Sequence, residues 1–286
     1  MITWLGDGPL PGEAADELLG GKGASLDRLI RMGAPTPAGF CLTTAALRRH
    51  LSVRADDVAA AIAALPAEEA RASLAELVLT EPWPEDLASA VAVALDELFR
   101  RASGEPQLAV RSSAVGEDGA TASFAGIHET ELGLAADEVS DAIRRCWASL
   151  WSSRAIRYRV DRQLPMNGEM AVVVQPLIPA HAAAVVFTRH PVTQRDDQLL
   201  INAVRGLGES LVSGLATPDE IVIDKPGLRV AELIPADGAP VLDHDQIREL
   251  AALAVNLETA FGRPIDIEAA MAGHRWHVLQ ARPITA

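Results

Sequence analysis

Asp266, Glu268, Gln280 and Arg282 place two carboxylates, an amide and a guanidinium in the closing stretch P-I-D-I-E-A-A-M-A-G-H-R-W-H-V-L-Q-A-R-P-I-T, from Pro264 to Thr285. Ile265 and Ile267 alternate with Asp266 and Glu268, the period-2 pattern of a strand with one apolar and one acidic face. A second strand follows Ala272-Gly273, with His277, Leu279 and Ala281 on one side and Trp276, Val278, Gln280 and Arg282 on the other. Register decides whether the polar groups meet. A strict two-residue loop sets Glu268 opposite His277; a three-residue loop with Gly273 left-handed sets Asp266 opposite Gln280, and this second register is the expected one. It gathers hard oxygen ligands suited to Mg²⁺ beside a fixed cation suited to phosphate. Taken alone, the same residues read equally well as an edge hairpin with a solvated charged face.

Three other stretches could meet an anionic ligand. Gly20-Gly21-Lys22-Gly23-Ala24-Ser25-Leu26 runs into a helical pattern; glycines ahead of a helix admit close backbone approach, the helix N-terminus favours a phosphate, and Lys22 supplies a point charge. The G-x-x-x-x-G-K-[ST] spacing of a Walker loop is absent. Gln107 to Ser113 reads as a strand ending in Arg111 and two hydroxyls, and it opens onto a glycine-bearing loop from Gly116 to Gly126, after which Ile127 to Leu134 returns as a strand. An arginine on an otherwise apolar strand is costly unless it pairs. Met170 to Pro176 reads as a buried strand stopping at Gln175-Pro176 and turning into Ala183 to Phe187, an inter-lobe hinge whose free backbone groups could meet an adenine edge.

The elements that must position these residues follow from pattern and punctuation. The 286 residues, 49% hydrophobic, suffice for two lobes with ordinary cores, and 1–176 and 177–286 are the expected ones. Thr44 to Arg101 is Ala-rich with 3.6 periodicity broken at Pro66 and at Glu81-Pro82-Trp83-Pro84, which predicts three or four helices of scaffold. Asp137 to Trp151, Arg154 to Arg162 and Asp243 to Phe261 also read as helices, and Phe40 to Thr43, Leu199 to Ala203 and Glu220 to Asp224 as strands. Cys41 and Cys146, in apolar surroundings, read as core thiols rather than a disulfide or metal pair. A net charge of −14 without a basic stripe argues against a nucleic-acid partner. No basic-then-apolar leader and no apolar run of membrane length is present, so no membrane partner is expected and the expected compartment is the cytoplasm.

Together and in order, G-G-K-G-A-S-L, R-S-S-A-V-G-E-D, A-S-F-A-G-I-H-E-T, V-V-V-Q-P-L-I, F-T-R-H-P-V-T, G-L-G-E-S-L-V-S-G, D-I-E and L-Q-A-R-P-I resemble the blocks of the ATP-binding domain of the phosphoenolpyruvate synthase and pyruvate phosphate dikinase family, which includes rifampicin phosphotransferases. The resemblance implies an α+β, ATP-grasp-like two-lobed nucleotide-binding fold with ATP and Mg²⁺ as cofactors. At matching positions it implies that Lys22, Arg111 and Arg282 hold phosphates and act catalytically, that Gly126 and Thr130 line the phosphate loop, and that Gln175 sits at the adenine hinge. Glu268 and Gln280 would hold Mg²⁺, with Asp266 nearby. Gln194 stands where a glycine is commoner and Ala269 where an aromatic is frequent, departures that bear on packing more than on chemistry.

In similar enzymes a histidine on a swivelling domain takes phosphate from ATP, leaving AMP. His128, His190, His274 and His277 read as local structure, and the chain closes after the R-P-I block, so the expected partner is a histidine-bearing phosphocarrier domain or protein in trans. Two other readings stand beside this phosphotransferase. One is an ATP-sensing module without chemistry. The other is the ATP-binding domain excised from a longer enzyme, such as a rifampicin-phosphotransferase-like resistance protein.

Overall fold

A computed structural model describes residues 1–7, 12–116, 118–119, 122–123 and 129–284. In chain order the elements are β1 (Ile2–Trp4), α1 (Gly12–Arg31), β2 (Phe40–Leu42), α2 (Thr44–Leu51), α3 (Ala55–Ala63), α4 (Glu68–Thr80), α5 (Glu85–Ala102), β3 (Leu108–Ala114), β4 (Asp118–Gly119), β5 (Ala122–Ser123), β6 (Thr130–Leu134), α6 (Val139–Ala148), α7 (Ser153–Asp161), β7 (Met170–Pro176), β8 (Ala182–Phe187), β9 (Gln198–Arg205), α8 (Glu209–Val212), β10 (Asp219–Asp224), β11 (Arg229–Ile234), α9 (His244–Phe261), β12 (Ile265–Ala272) and β13 (Arg275–Pro283). The fold is α+β. Its contacts divide it into two compact units, Met1–Asp27 with Ala38–Leu177, and Arg28–Pro37 with Ile178–Ala286.

Unit 1 is built on an antiparallel sheet of order β1-β2-β7-β3-β6. Leu108, Val110 and Ala114 of β3 and Met170, Val172 and Val174 of β7 turn one face into a core that α2 to α6 cover with Leu47, Leu74, Leu87, Leu98, Ile143 and Trp147. The proline breaks and a 3-10 turn at Ser52–Arg54, which has no proline, resolve the Ala-rich stretch into four helices, α2 to α5. His50 sits inside this core with no exposure, its ring stacked on Trp147 at a 5.4 Å centroid distance. Its Nε2 lies 3.0 Å from the Val78 carbonyl, so that nitrogen carries the proton and donates to an oxygen in the last turn of α4. Nδ1 is buried without a hydrogen-bond partner. Cys41 and Cys146 are free and buried, and burial pushes both thiols up. Arg159, 3% exposed, donates to the Leu150 carbonyl at 2.6 Å, and desolvation lowers it to about 10.

Unit 2 carries an antiparallel sheet of order β11-β10-β9-β8-β12-β13. Ile201, Ile221, Ile265, Ile267 and Val278 are buried with Ile247, Leu250, Ala254 and Leu257 of α9. Asp243 and Gln246 close a capping box at the start of that helix, and Trp276 Nε1 donates to the Gln246 carbonyl at 3.1 Å, tying β13 to it. Asp219, 2% exposed, accepts from the Ala236 and Val241 backbone N–H groups at 2.8 and 2.6 Å, which fixes the loop between β11 and α9. Arg28–Pro37, counted from sequence with the first lobe, joins unit 2 through the Val278 N–H to Pro35 carbonyl bond of 2.8 Å and the Arg28 guanidinium 4.0 Å over the Phe261 ring. Gln194 stands at φ 57°, a left-handed conformation that glycine adopts without strain.

The sequence reading needs correction at three places here. Helix α1 begins at Gly12, ahead of the glycines rather than after them, and the chain breaks inside it. The returning strand β6 starts at Thr130; residues 124–128, and with them Gly126, lie outside the described residues. Strands β1 and β11 went unread, β11 because most of its residues are exposed and it lacks an apolar stripe.

Desolvation, outweighing the Val78 hydrogen bond, lowers His50 from its ordinary value of 6.5. A depressed folded value means that neutral His50 contributes stability above the unfolded value, and the contribution fades as pH falls below about 6.5. His50→Gln, which can still donate to Val78, should remove that component. Urea midpoints of both proteins at pH 7.5 and 5 test this, and an equal loss on acidification in the two would refute it.

Candidate functional site

The polar face of unit 1 is set by the alternation of β3. Ala109, Arg111 and Ser113 point away from the core, and register puts Arg111 beside Thr130 on β6 and Val173 on β7, with Ala109 beside Gln175. Arg111, Ser113, Thr130 and Gln175 therefore share one face. Thr130 is exposed, Arg111 half-buried and Gln175 3% exposed, its stem close under Gly39, where a Cβ would come 2.5 Å from its Cγ.

Helix α1 lies on this face and delivers Lys22. Gly20, at φ 67° and ψ 176°, interrupts it, and a Cβ there would stand 2.0 Å from the Ser113 carbonyl oxygen, so only glycine fits. Ser113, with no exposure, spans the break. Its hydroxyl donates to the Leu19 carbonyl at 2.6 Å, the last turn before Gly20, and accepts from the Gly23 N–H at 2.9 Å, in the first turn after it. It thus satisfies a carbonyl and an amide that the break would orphan. Lys22, half-buried, sits between these two anchors. The sequence showed the hydroxyl but not this partnership, which spans 90 residues of chain.

In unit 2 the hairpin β12–β13 brings Asp266, Glu268, Gln280 and Arg282 onto one face, in a register different from the expected one. The turn is Gly273-His274, with Ala272 opposite Arg275 and Gly273 at φ 60°. A bulge then sets Ala269 opposite Val278 but Glu268 opposite Gln280 and Asp266 opposite Arg282. Leu279 is the extra residue. The bulge also changes the faces: Trp276 and Val278, expected with Gln280, go instead to the core beside Met271 and Ala269, at 2% and 0% exposure.

Within the cluster, Arg282 Nε donates to both oxygens of Asp266, at 3.0 and 2.9 Å. Desolvation nevertheless raises Asp266 above its ordinary value, with Glu268 adding to it, and Arg282 only partly offsets this. Asp266 thereby orients the guanidinium, while Glu268 and the 4% exposed Gln280 stand paired on the next cross-strand position. Among the described residues no group of three or more His, Cys, Asp or Glu is placed to hold a metal ion. One carboxylate and one amide oxygen still suit Mg²⁺, which is commonly held by one or two carboxylates together with substrate phosphates.

One more polar group lies on this face. Asn202 of β9 pairs with Val185 of β8, the neighbour of Glu268, and its Oδ1 is buried with no hydrogen-bond partner. An orphaned amide oxygen costs about 1–3 kcal/mol.

Comparison with known proteins gives three findings. The family described as the AMP/ATP-binding domain of pyruvate phosphate dikinase matches residues 16–234, a span that holds Lys22, Arg111, Thr130 and Gln175 and stops before the hairpin. The prodigiosin synthesizing transferase PigC of Serratia marcescens is 37% identical, over 93% of this chain and 31% of its own length. A probable phosphoenolpyruvate synthase of Methanocaldococcus jannaschii is 33% identical over 100% and 27%, and a rifampicin phosphotransferase of a Streptomyces species 37% over 93% and 34%. The chain spans about a third of the length of these relatives. Among solved structures the likeness is distant: D-alanine-D-alanine ligase of Helicobacter pylori is 12% identical and superposes with a TM-score of 0.35, over 68% of this chain and 46% of that one.

Ser113→Ala should cost about 1–3 kcal/mol, because it takes the hydroxyl acceptor from the Gly23 amide and leaves the Leu19 carbonyl only the weak Cys41 Sγ contact at 3.7 Å. Chemical denaturation reads this, and a loss under about 0.5 kcal/mol would mean that the break closes without the hydroxyl. Arg282→Gln should cost more at pH 7 than at pH 4. Ionised Asp266 loses its cation at neutral pH, whereas its raised value lets it protonate as pH falls through the carboxylate range. The loss at pH 7 should lie between the ~1 kcal/mol of an exposed pair and the roughly 3–5 kcal/mol of a buried one. An equal loss at both pH values would show that Asp266 does not depend on Arg282.

Proposed function

The chain belongs to the pyruvate phosphate dikinase AMP/ATP-binding domain family, and from that membership we propose that it binds Mg²⁺·ATP in an ATP-grasp-like manner and drives phosphoryl transfer to a histidine on a separate domain or protein, releasing AMP. The observation that carries this reading is the arrangement of Glu268 opposite Gln280 with Arg282 one cross-strand position away, oriented by Asp266. Membership alone would be equally compatible with a degenerate relative; an intact hard-oxygen pair beside a fixed guanidinium supports chemistry.

In phosphoryl transfer the protein's task is to position groups and stabilise charge. Lys22, at the start of the second half of α1, and Arg111 hold phosphate oxygens. Thr130 borders the same anion, and Gln175, at the end of β7, stands at the adenine edge. Arg282, turned by Asp266, clamps a further phosphate. Bound at Glu268 and Gln280, Mg²⁺ supplies neutralisation of charge developing on the phosphate oxygens. Those two residues present the oxygen donors. Two buried free thiols suit the reducing cytoplasm. No described helix is long and apolar enough to cross a membrane.

The acceptor histidine belongs to a partner. The chain's coverage of about a third of PigC, the synthase and the rifampicin phosphotransferase is in keeping with a division of labour in which other segments supply it. Mixing the protein with histidine-domain partners and following AMP and acid-labile phosphohistidine tests the proposal. Turnover should depend on Mg²⁺, and Glu268→Ala should reduce it by ~10²–10³-fold, as loss of one preorganised electrostatic contact does. Tight ATP binding by calorimetry with no AMP from any partner would replace this reading with that of a nucleotide sensor.

A further inference from the structure

Asn202 is the one residue of the strand β9 whose chemistry does not match its surroundings. On its face of the strand the neighbours are Leu200 and Val204, at 7% and 5% exposure, with Val185 alongside on β8. The opposite face, Leu199, Ile201 and Ala203, is fully buried core. An asparagine in such a place ordinarily has its amide oxygen satisfied, whereas Oδ1 here is buried with no partner.

Register says what the oxygen faces. Reading across the sheet, Gln280, Glu268, Val185, Asn202 and Glu220 form one cross-strand row on one face. Asn202 stands two strands from Glu268, about 10 Å at the backbone. A metal ion about 2.1 Å from a carboxylate oxygen of Glu268 does not reach the short asparagine side chain at that separation. A water molecule held between the two would close the gap. We propose that Asn202 Oδ1 accepts a hydrogen bond from an O–H group of bound Mg²⁺·ATP, a metal-bound water in the arrangement favoured by this spacing, and so acts as a further binding residue of the site. The inference rests on the Mg²⁺·ATP reading above.

An acceptor left unsatisfied in the free protein should trade stability against binding. Asn202→Leu, apolar and of similar shape, should keep or raise the melting temperature of the free protein. By calorimetry it should weaken Mg²⁺·ATP about 10-fold relative to wild type. Asn202→Asp keeps the acceptor but adds a desolvated charge, so it should lower the melting temperature while holding affinity within about 3-fold. Titration with 2′-deoxy- and 3′-deoxy-ATP distinguishes the donor. If the donor is metal-bound water, the loss in Asn202→Leu persists with each analogue and vanishes for ATP in EDTA; if it is a sugar hydroxyl, the loss vanishes with one analogue. A lower melting temperature with unchanged affinity in Asn202→Leu would overturn the proposal, assigning the residue to packing alone. Wild-type protein that does not bind Mg²⁺·ATP would overturn the functional reading, and this inference with it.

Discussion

Side chains on a strand alternate, and that alternation is the constraint on which everything else in this molecule depends. In each unit it divides one antiparallel sheet into an apolar face buried under helices and a face free to carry polar groups. Val110 and Val172 turn inward so that Arg111 and Ser113 can turn outward; Ile265 and Ile267 do the same for Asp266 and Glu268. Burial of the apolar set, at roughly 1.5–3 kcal/mol for a Val or Ile side chain, holds the register. Register then places the chemistry. The polar residues contribute little to their own placement, and Asp266, a desolvated carboxylate, opposes it at neutral pH.

Where alternation does not suffice, single atoms do the positioning. Lys22 is carried by a helix rather than a strand, and its place is set by the Ser113 hydroxyl and by the missing side chain of Gly20. Both features serve a break that an uninterrupted helix would not need. The interruption starts a new helical turn at the lysine, and the N-terminus of a helix is the end that favours an anion. Asp219 plays an analogous part in unit 2, spending both carboxylate oxygens on the backbone of one loop.

Much of this was legible in the residues. Elements with strong periodicity and proline punctuation, such as α2 to α5 and α9, are present where the pattern predicts them, because burial of one stripe is a local decision. The candidate residues of the hairpin were legible by type and by face. Their pairing was not, since a bulge leaves no mark in composition: Leu279 reads as an ordinary strand residue. Long-range partnerships were hidden as well. Nothing near Ser113 in the sequence announces Gly23, and nothing near Asn202 announces Glu268, two strands away. Edge strands such as β11 escaped because exposure on both faces erases alternation. Gln194 carries its departure from the family pattern in its backbone, at φ 57°, with its N–H still bonded to the His190 carbonyl at 2.8 Å.

The extra residue at Leu279 has a consequence for how this segment can change over generations. Upstream of the bulge, strand β13 presents Trp276 and Val278 to the core; downstream it presents Gln280 and Arg282 to the opposite face, and one residue separates the two phases. Loss or gain of a single codon there would rotate Gln280 and Arg282 into the hydrophobic interior or pull Trp276 out of it. Substitution at Leu279 itself leaves both phases intact. Between Glu268 and Gln280 the strands can therefore vary in spelling but not in length, and drift by insertion or deletion is confined to the Gly273-His274 turn itself.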